Sequence, residues 1–234
     1  MSVVVKADIS PNRADCRFVG WYSFGMSLPG PVLFDLLTAL LDSWSVWNVG
    51  AGSKSAGRAW RAEYLRLTYS CGAYYPYETL VRQAAQATGL PPSAAEALEA
   101  RWDALPVWSG AQVALDRLVG RTRLGVVTNC SVRLGRAAAA RLQVPWDVVI
   151  TAEEAGFYKP DPRPYRLALE RLGVAAGEAA FVAGSGYDLI GTAAVGLRTY
   201  WHNRVGLSRP DGAPHADHES RNLDDLVLWL EGLR

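Results

Sequence analysis

From residue 106 onward, short apolar runs alternate with helix-length segments, and that rhythm admits few folds. Residues 124–127, 148–150, 180–183 and 198–201 read as strands. Residues 109–120, 132–142, 161–173 and 188–195 read as the helices between them, with a last amphipathic helix over 222–233. Strands separated by whole helices cannot pair through hairpins, so they pair parallel, in a sheet covered on both faces. A further strand, 31–34, follows Gly30-Pro31 near the start. Between it and the alternating region, residues 42–105 read as mostly helical (57–69, 77–88 and 93–105), the last helix opening after Pro91-Pro92. The expected architecture is α/β. It is a doubly wound, Rossmann-like parallel sheet built from residues 26–41 and 106–234, with the helical segment 42–105 inserted behind its first strand.

Residues 1–25 do not fit this pattern and read as a tail or extension. They lack a continuous apolar run and a small-residue cleavage site, which argues against a secretory signal, and Asp8 and Asp15 argue against organelle targeting. Met26 is followed by Ser-Leu-Pro-Gly-Pro and then the first strand, so Met26 is the expected natural start unless residues 1–25 form a loose tail.

Composition narrows the partners. The 234 residues suit one α/β domain with an insertion, or two small domains. Half are apolar and 20% charged, which is enough apolar material for a sizeable core and argues against disorder. Lys plus Arg number 24 against 23 Asp plus Glu, so a net charge of +1 offers no field for nucleic acid or an anionic membrane. The richest apolar run, 29–44, contains Asp35 and Asp42 and does not read as a membrane span. Cys16, Cys71 and Cys130 are too few and too scattered for a disulfide framework or a zinc site. A cytoplasmic protein without nucleic-acid or membrane partners is expected.

In open parallel sheets the ligand lies beyond the carboxyl ends of the strands. Asp35 ends the first strand, Thr128 and Asn129 end the second, Lys159 follows the third, and Ser185 and Asp188 follow the fourth. A carboxylate with an ammonium beside it is a nucleophile held ionised. Thr128 and Asn129 supply donors for a substrate anion, and Asp188 suits the orienting of Lys159 or of a water. Each has a bland alternative: Asp35 as a strand-end cap, Thr128-Asn129 as a helix cap, Arg61 as a surface cation, and Trp44, Trp47 and Trp60 as core. His215 and His218 lie in a polar stretch without other evident metal ligands and read as a solvated loop.

These positions, in this order, resemble the haloacid dehalogenase superfamily over nearly everything after Met26. Its phosphatases carry a second Asp two residues after the nucleophile and an acidic residue four before the last Asp. Here those positions are Leu37 and Gly184, which disfavours a magnesium phosphatase. The chain is more similar to the L-2-haloacid dehalogenase branch. Phe34, Asp35, Leu40 and Asp42 match its Phe-Asp-x-Tyr-Gly-Thr-Leu-x-Asp motif, and Trp60-Arg61 matches its Trp-Arg pair. Lys159-Pro160 with Tyr165 matches its Lys-Pro-x-x-x-x-Tyr segment, and Trp201-His202-Asn203-Arg204 resembles its Trp-x-Asn-Arg signature.

The chain also departs from that branch. Leu37-Thr38-Ala39 stands for Tyr-Gly-Thr, Ala183-Gly184-Ser185-Gly186-Tyr187-Asp188 for Ser-Ser-Asn-x-Trp-Asp, and Thr128 for serine. Loss of the threonine and the asparagine is expected to remove hydrogen bonds that orient the nucleophile and the water.

The resemblance implies a Rossmann-like core with a helical cap, and a small carboxylate substrate, with no metal and no organic cofactor. It implies that Asp35 forms an aspartyl ester with a 2-haloalkanoic acid, that Arg61 and Asn129 receive the halide, and that Thr128 and backbone amides hold the carboxylate. Lys159, Asp188 and Ser185 position water, Tyr165 belongs to the substrate-binding set, and Trp44, Trp47 and Trp60 flank the pocket. Family members are commonly homodimers. Strained-ring opening (an azetidine-carboxylate-like substrate), a magnesium-dependent phosphatase and a non-catalytic small-acid binder are the alternatives.

Overall fold

The computed structural model describes residue 28 and residues 30–233; the expectations for residues 1–25, for Met26 and for Cys16 lie outside the described residues. Strand β1 (Val32–Phe34) is followed by helices α1 (Ser43–Gly50), α2 (Lys54–Ser70), α3 (Tyr77–Ala87) and α4 (Ser93–Glu99). The chain then alternates: α5 (Ala111–Asp116), β2 (Leu124–Thr128), α6 (Val132–Ala139), β3 (Val148–Thr151), α7 (Ala152–Ala155), α8 (Pro162–Leu172), β4 (Ala180–Ala183), α9 (Asp188–Val195), β5 (Arg198–His202), β6 (His218–Ser220) and α10 (Leu226–Glu231). All six strands pair parallel, in the order β3-β2-β1-β4-β5-β6. The expected α/β doubly wound sheet is therefore present.

Every residue of β1, β2 and β4 is buried, as strands covered by helices on both faces require. Phe34 is in register with Val126 on one side and Val182 on the other. The carboxyl ends of β1, β2 and β4 thus lie side by side where the strand order reverses, the position at which such sheets take ligands.

The chain enters and leaves α1–α4 at one place. Leu41 and Val107 form an antiparallel bridge, Asp42 N donates to Pro106 O (2.8 Å), and Trp108 N donates to Leu40 O (2.9 Å). Asp42, which matched the motif after β1, caps α1 by accepting from Ser45 N at 3.1 Å. The four helices pack through aromatic rings: Trp47–Trp60, Trp47–Tyr64 and Tyr64–Tyr77 centroids lie 4.6, 5.3 and 5.3 Å apart. These rings belong to the same apolar cluster as Val32 and Phe34 of β1. α1 and α2 touch at Gly57, where a Cβ would fall 2.6 Å from Asn48 Cα.

Two readings are corrected. The polar stretch around His218 is not a solvated loop. His218–Ser220 is the edge strand β6, and the His218 ring stacks on Tyr200 (4.9 Å between centroids) with Nε2 2.7 Å from Asp225 Oδ2. Polar residues on an edge strand hide its signal while blunting its unpaired side. The helix expected over 93–105 stops at Glu99 and gives way to a 3-10 turn, Trp102–Ala104, where the Trp102 indole donates to Leu134 O at 2.8 Å. A tertiary contact overrides the periodicity there. No helix among the described residues is long and apolar enough to cross a membrane.

Candidate active site

Asp35 extends the ladder by one step, its N–H donating to Val182 O at 2.9 Å, and the chain then turns. That turn aims donors back at the carboxylate. Asp35 Oδ2 accepts from Thr38 N (3.0 Å), Ala39 N (3.1 Å) and the Thr38 hydroxyl (2.5 Å). The turn is braced from behind: the Trp108 indole donates to Thr38 O (3.0 Å), and His202 Nδ1 lies 2.7 Å from Ala39 O. A carbonyl only accepts, so His202 carries its proton on Nδ1.

The other oxygen, Asp35 Oδ1, accepts from Lys159 Nζ at 2.8 Å, and the same ammonium lies 3.0 Å from Asp188 Oδ1. Lys159 is fixed through its main chain: its N–H donates to Asn129 Oδ1 (2.7 Å) and its carbonyl accepts from Asn129 Nδ2 (3.0 Å). Asp188, at the start of α9, also accepts from the Tyr165 hydroxyl on Oδ1 at 2.8 Å, while its Oδ2 is buried without a hydrogen bond among the described residues. Asp35, Lys159 and Asp188 are all buried.

Burial splits the two carboxyls. It pushes Asp35 up, but the charge and hydrogen bond of Lys159, with the Thr38 donors, outweigh it and hold Asp35 below its ordinary value. Burial pushes Asp188 up more than Lys159 and Tyr165 recover, and the Asp35 charge adds to it, so Asp188 sits above its ordinary value. Burial alone lowers Lys159, yet two adjacent carboxylates win and raise it. The arrangement favours Asp35 as the anion and Lys159 as the cation, and leaves Asp188 the more readily protonated of the two carboxyls.

Asp35, Lys159, Asp188, Asn129, Ser185 and Arg61 line one cavity of about 50 Å³. Arg61, on α2, is 8% exposed; its Nη1 donates to Ser43 Oγ (3.0 Å) and its plane lies over Trp44, 4.1 Å to the centroid. Its Nε is buried without a hydrogen bond, and no carboxylate lies in ion-pair range of it among the described residues. Burial lowers its value, but a guanidinium stays charged. Leu37, Thr38, Trp47, Tyr64, Leu65, Tyr69, Tyr77, Pro160 and Tyr187 form the rest of the wall.

Not every expected residue reaches the cavity. Thr128 is buried beneath it, with its hydroxyl 3.6 Å from Cys130 Sγ, and Tyr165 stands behind Asp188. Ser185 is on the wall, its Oγ accepting from Tyr187 N at 3.3 Å. Of the three tryptophans, Trp47 lines the cavity and Trp44 covers Arg61. Trp60 is wholly buried between helices, its indole donating to Val81 O at 2.9 Å.

The expected loss of a hydroxyl on the nucleophile is also corrected: Thr38 supplies one from the neighbouring position. The sequence reading missed the tyrosines too, although Arg61, Tyr64 and Leu65 stand at i, i+3 and i+4 on one helix face. A divalent cation is poorly served here. Both carboxylates are on the Lys159 ammonium, and no group of three or more His, Cys, Asp or Glu stands together among the described residues.

Comparison with known proteins identifies the family. The sequence profile of the haloacid dehalogenase-like hydrolases matches residues 53–196. (S)-2-haloacid dehalogenase 4A of Burkholderia cepacia is 26% identical over 211 residues, covering 83% of this chain and 91% of that protein. (S)-2-haloacid dehalogenase 1 of Pseudomonas sp. (strain CBS-3) is 33% identical over 96 residues, 41% of this chain and 42% of that protein. Among solved structures, the L-2-haloacid dehalogenase of Xanthobacter autotrophicus with chloropropionic acid covalently bound superposes with a TM-score of 0.79 at 21% identity, covering 87% of this chain and 99% of that one. At that identity the likeness is one of fold.

Proposed function

The chain belongs to the haloacid dehalogenase-like hydrolases, and on that premise we propose that it hydrolyses small (S)-2-haloalkanoic acids to 2-hydroxy acids through an ester on Asp35. What supports this is the pairing, within one cavity, of a carboxylate held ionised and a buried guanidinium that no carboxylate among the described residues neutralises. The first is a nucleophile and the second a seat for a departing anion. The substrate class and the (S) configuration come from the names of the relatives.

The two oxygens of Asp35 have different duties. Oδ2 is saturated by three donors, whereas Oδ1 meets, among the described residues, only Lys159 and keeps a lone pair for attack. Oδ1 displaces the halide in line, forming a C–O bond as the carbon–halogen bond breaks and inverting the carbon. Arg61 takes the halide. Water then adds to Asp35 Cγ, its proton passing to Asp188 Oδ2, the acceptor left without a partner. The Cγ–Oδ1 bond breaks, Asp188 returns its proton to Oδ1 as the hydroxy acid leaves, and the second proton of the water is lost to solvent, which restores the Asp35 carboxylate. Asn129 holds the Lys159 main chain and Tyr165 holds Asp188, so both act on the chemistry by positioning it. Helices α1–α4 serve as the cap, and the aromatic cavity suits a small acid. These steps use no metal and no organic cofactor.

Halide release from fluoro-, chloro- and bromoacetate and from both 2-chloropropionates, with chelator present, tests the reading. Release from the (S) enantiomer with formation of (R)-lactate is expected; folded protein that releases no halide overturns it. Arg61→Leu is expected to lower kcat/KM about 100-fold, the effect of losing one charge-stabilising donor, and undiminished turnover removes Arg61 from the leaving-group site.

The pH profile carries a further expectation. Asp188 must be unprotonated to accept from water, and its carboxyl is raised, so kcat falls on the acid side at a pH above the ordinary carboxylate value while Asp35 is still ionised. An acid limb at or below that ordinary value takes Asp188 out of the base role.

A further inference from the structure

We propose that Thr38 is a catalytic hydrogen-bond donor for hydrolysis of the ester, and that Gly184 is the space that puts it there; the proposal rests on Asp35 being the nucleophile. Position 38 is glycine in the motif that this chain resembles, with threonine one residue later and serine at position 184. Here the hydroxyl has moved to Thr38, and position 184 has lost its side chain. The structure ties the two changes together. A Cβ on residue 184 would lie 2.2 Å from Ala39 N, 2.3 Å from Thr38 C and 2.4 Å from Thr38 Oγ1. Gly184 is not among the glycines with positive φ, so space, and not backbone conformation, is what the position demands. The turn rests on bare backbone at 184, and only there do its two amides and the Thr38 hydroxyl all reach Asp35 Oδ2.

The chemistry separates the two half-reactions. After displacement, Oδ1 carries the substrate carbon and Oδ2 is the ester carbonyl oxygen. When water adds to Cγ, the electron pair of the Cγ=Oδ2 bond moves onto Oδ2, which then bears a full negative charge against three donors already in contact. Collapse restores Cγ=Oδ2, breaks Cγ–Oδ1, and the proton taken from water goes to the departing oxygen; the proton remaining on the new Asp35 hydroxyl is lost to solvent with the halide, which restores the carboxylate. The Thr38 hydroxyl therefore stabilises ester hydrolysis, whereas before displacement it only holds a carboxylate that must lose its charge.

The test compares Thr38→Val, Thr38→Ser and Gly184→Ala with the wild type, using chloroacetate as probe. Thr38→Val is expected to lower kcat about 100-fold, with KM falling as well, and the quenched protein should carry the ester on Asp35 as its main species by intact mass. Thr38→Ser keeps the donor, so it should retain most of the turnover without accumulating ester. Gly184→Ala is expected to be at least as impaired as Thr38→Val, and the double variant no worse than Gly184→Ala alone. Undiminished turnover in Thr38→Val, or a slow variant without accumulated ester, overturns the donor role; an active Gly184→Ala overturns the spacing.

Failure of the wild type to release halide or form an ester counts against the function proposed above. Thr38 is then judged by the titration of carbon-13-labelled aspartate. Loss of the hydroxyl in Thr38→Val should raise the Asp35 carboxyl, and an unmoved titration overturns the contact.

Discussion

Replacing Asp35 with asparagine is expected to reduce turnover by at least about 10⁴-fold while leaving the molecule folded, because the amide keeps the size of the side chain and loses the nucleophile. The asparagine oxygen can still accept from Thr38 and Ala39, and Lys159 keeps Asp188 as its counter-charge. Halide release by the variant, with its circular dichroism matched to the wild type, measures the loss. Isotope placement adds a second arm. Because Oδ1 leaves with the product and water oxygen replaces it, a single turnover in oxygen-18 water should give unlabelled hydroxy acid, and repeated turnover should label Asp35. Label in the product of the first turnover would mean direct attack by water and would remove Asp35 from the nucleophile role.

Lys159→Met is expected to have the next largest effect, and on two quantities. The ammonium is all that separates the negative charges of Asp35 and Asp188, at 2.8 and 3.0 Å from their oxygens, and every partner is buried. Removing one partner of a buried ion pair costs about 3–5 kcal/mol, so the variant should unfold at distinctly lower denaturant concentration. Without the cation, burial and mutual repulsion raise the carboxyls, and one of the pair takes up a proton near neutral pH. A protonated Asp35 does not attack carbon. Turnover near pH 7 should fall by about 10³-fold and recover in part as pH rises and the pair ionises. A pH–rate profile parallel to that of the wild type would show that Lys159 does not set the charge of the nucleophile.

The sequence disclosed those elements and residues whose signal is local. The alternation after residue 106 predicted the parallel sheet, and β4 and α9 lie at the bounds read from it. Asp35, Lys159 and Asp188 were legible because strand ends in such a sheet converge whatever the loops contain. Ends that depend on distant partners were not legible. The 3-10 turn at Trp102 answers to Leu134, and β6 exists only because β5 offers it an edge.

What the sequence determined by itself, then, is the architecture and the identity of the charged trio, since hydrophobic period and strand order are properties of the chain read in line. What only the tertiary structure decided is how those charges are held. Ala39 stood for the loss of a threonine and Gly184 stood where the motif has serine, yet in space the empty position at 184 admits the turn in which Thr38 carries the missing hydroxyl. Asn129, expected as a ligand for the substrate, lines the cavity and also grips the main chain of Lys159 with both ends of its amide. The physical reason is range: a hydrogen bond is settled within a few tenths of an ångström between atoms as many as 163 residues apart, and no local pattern encodes that distance.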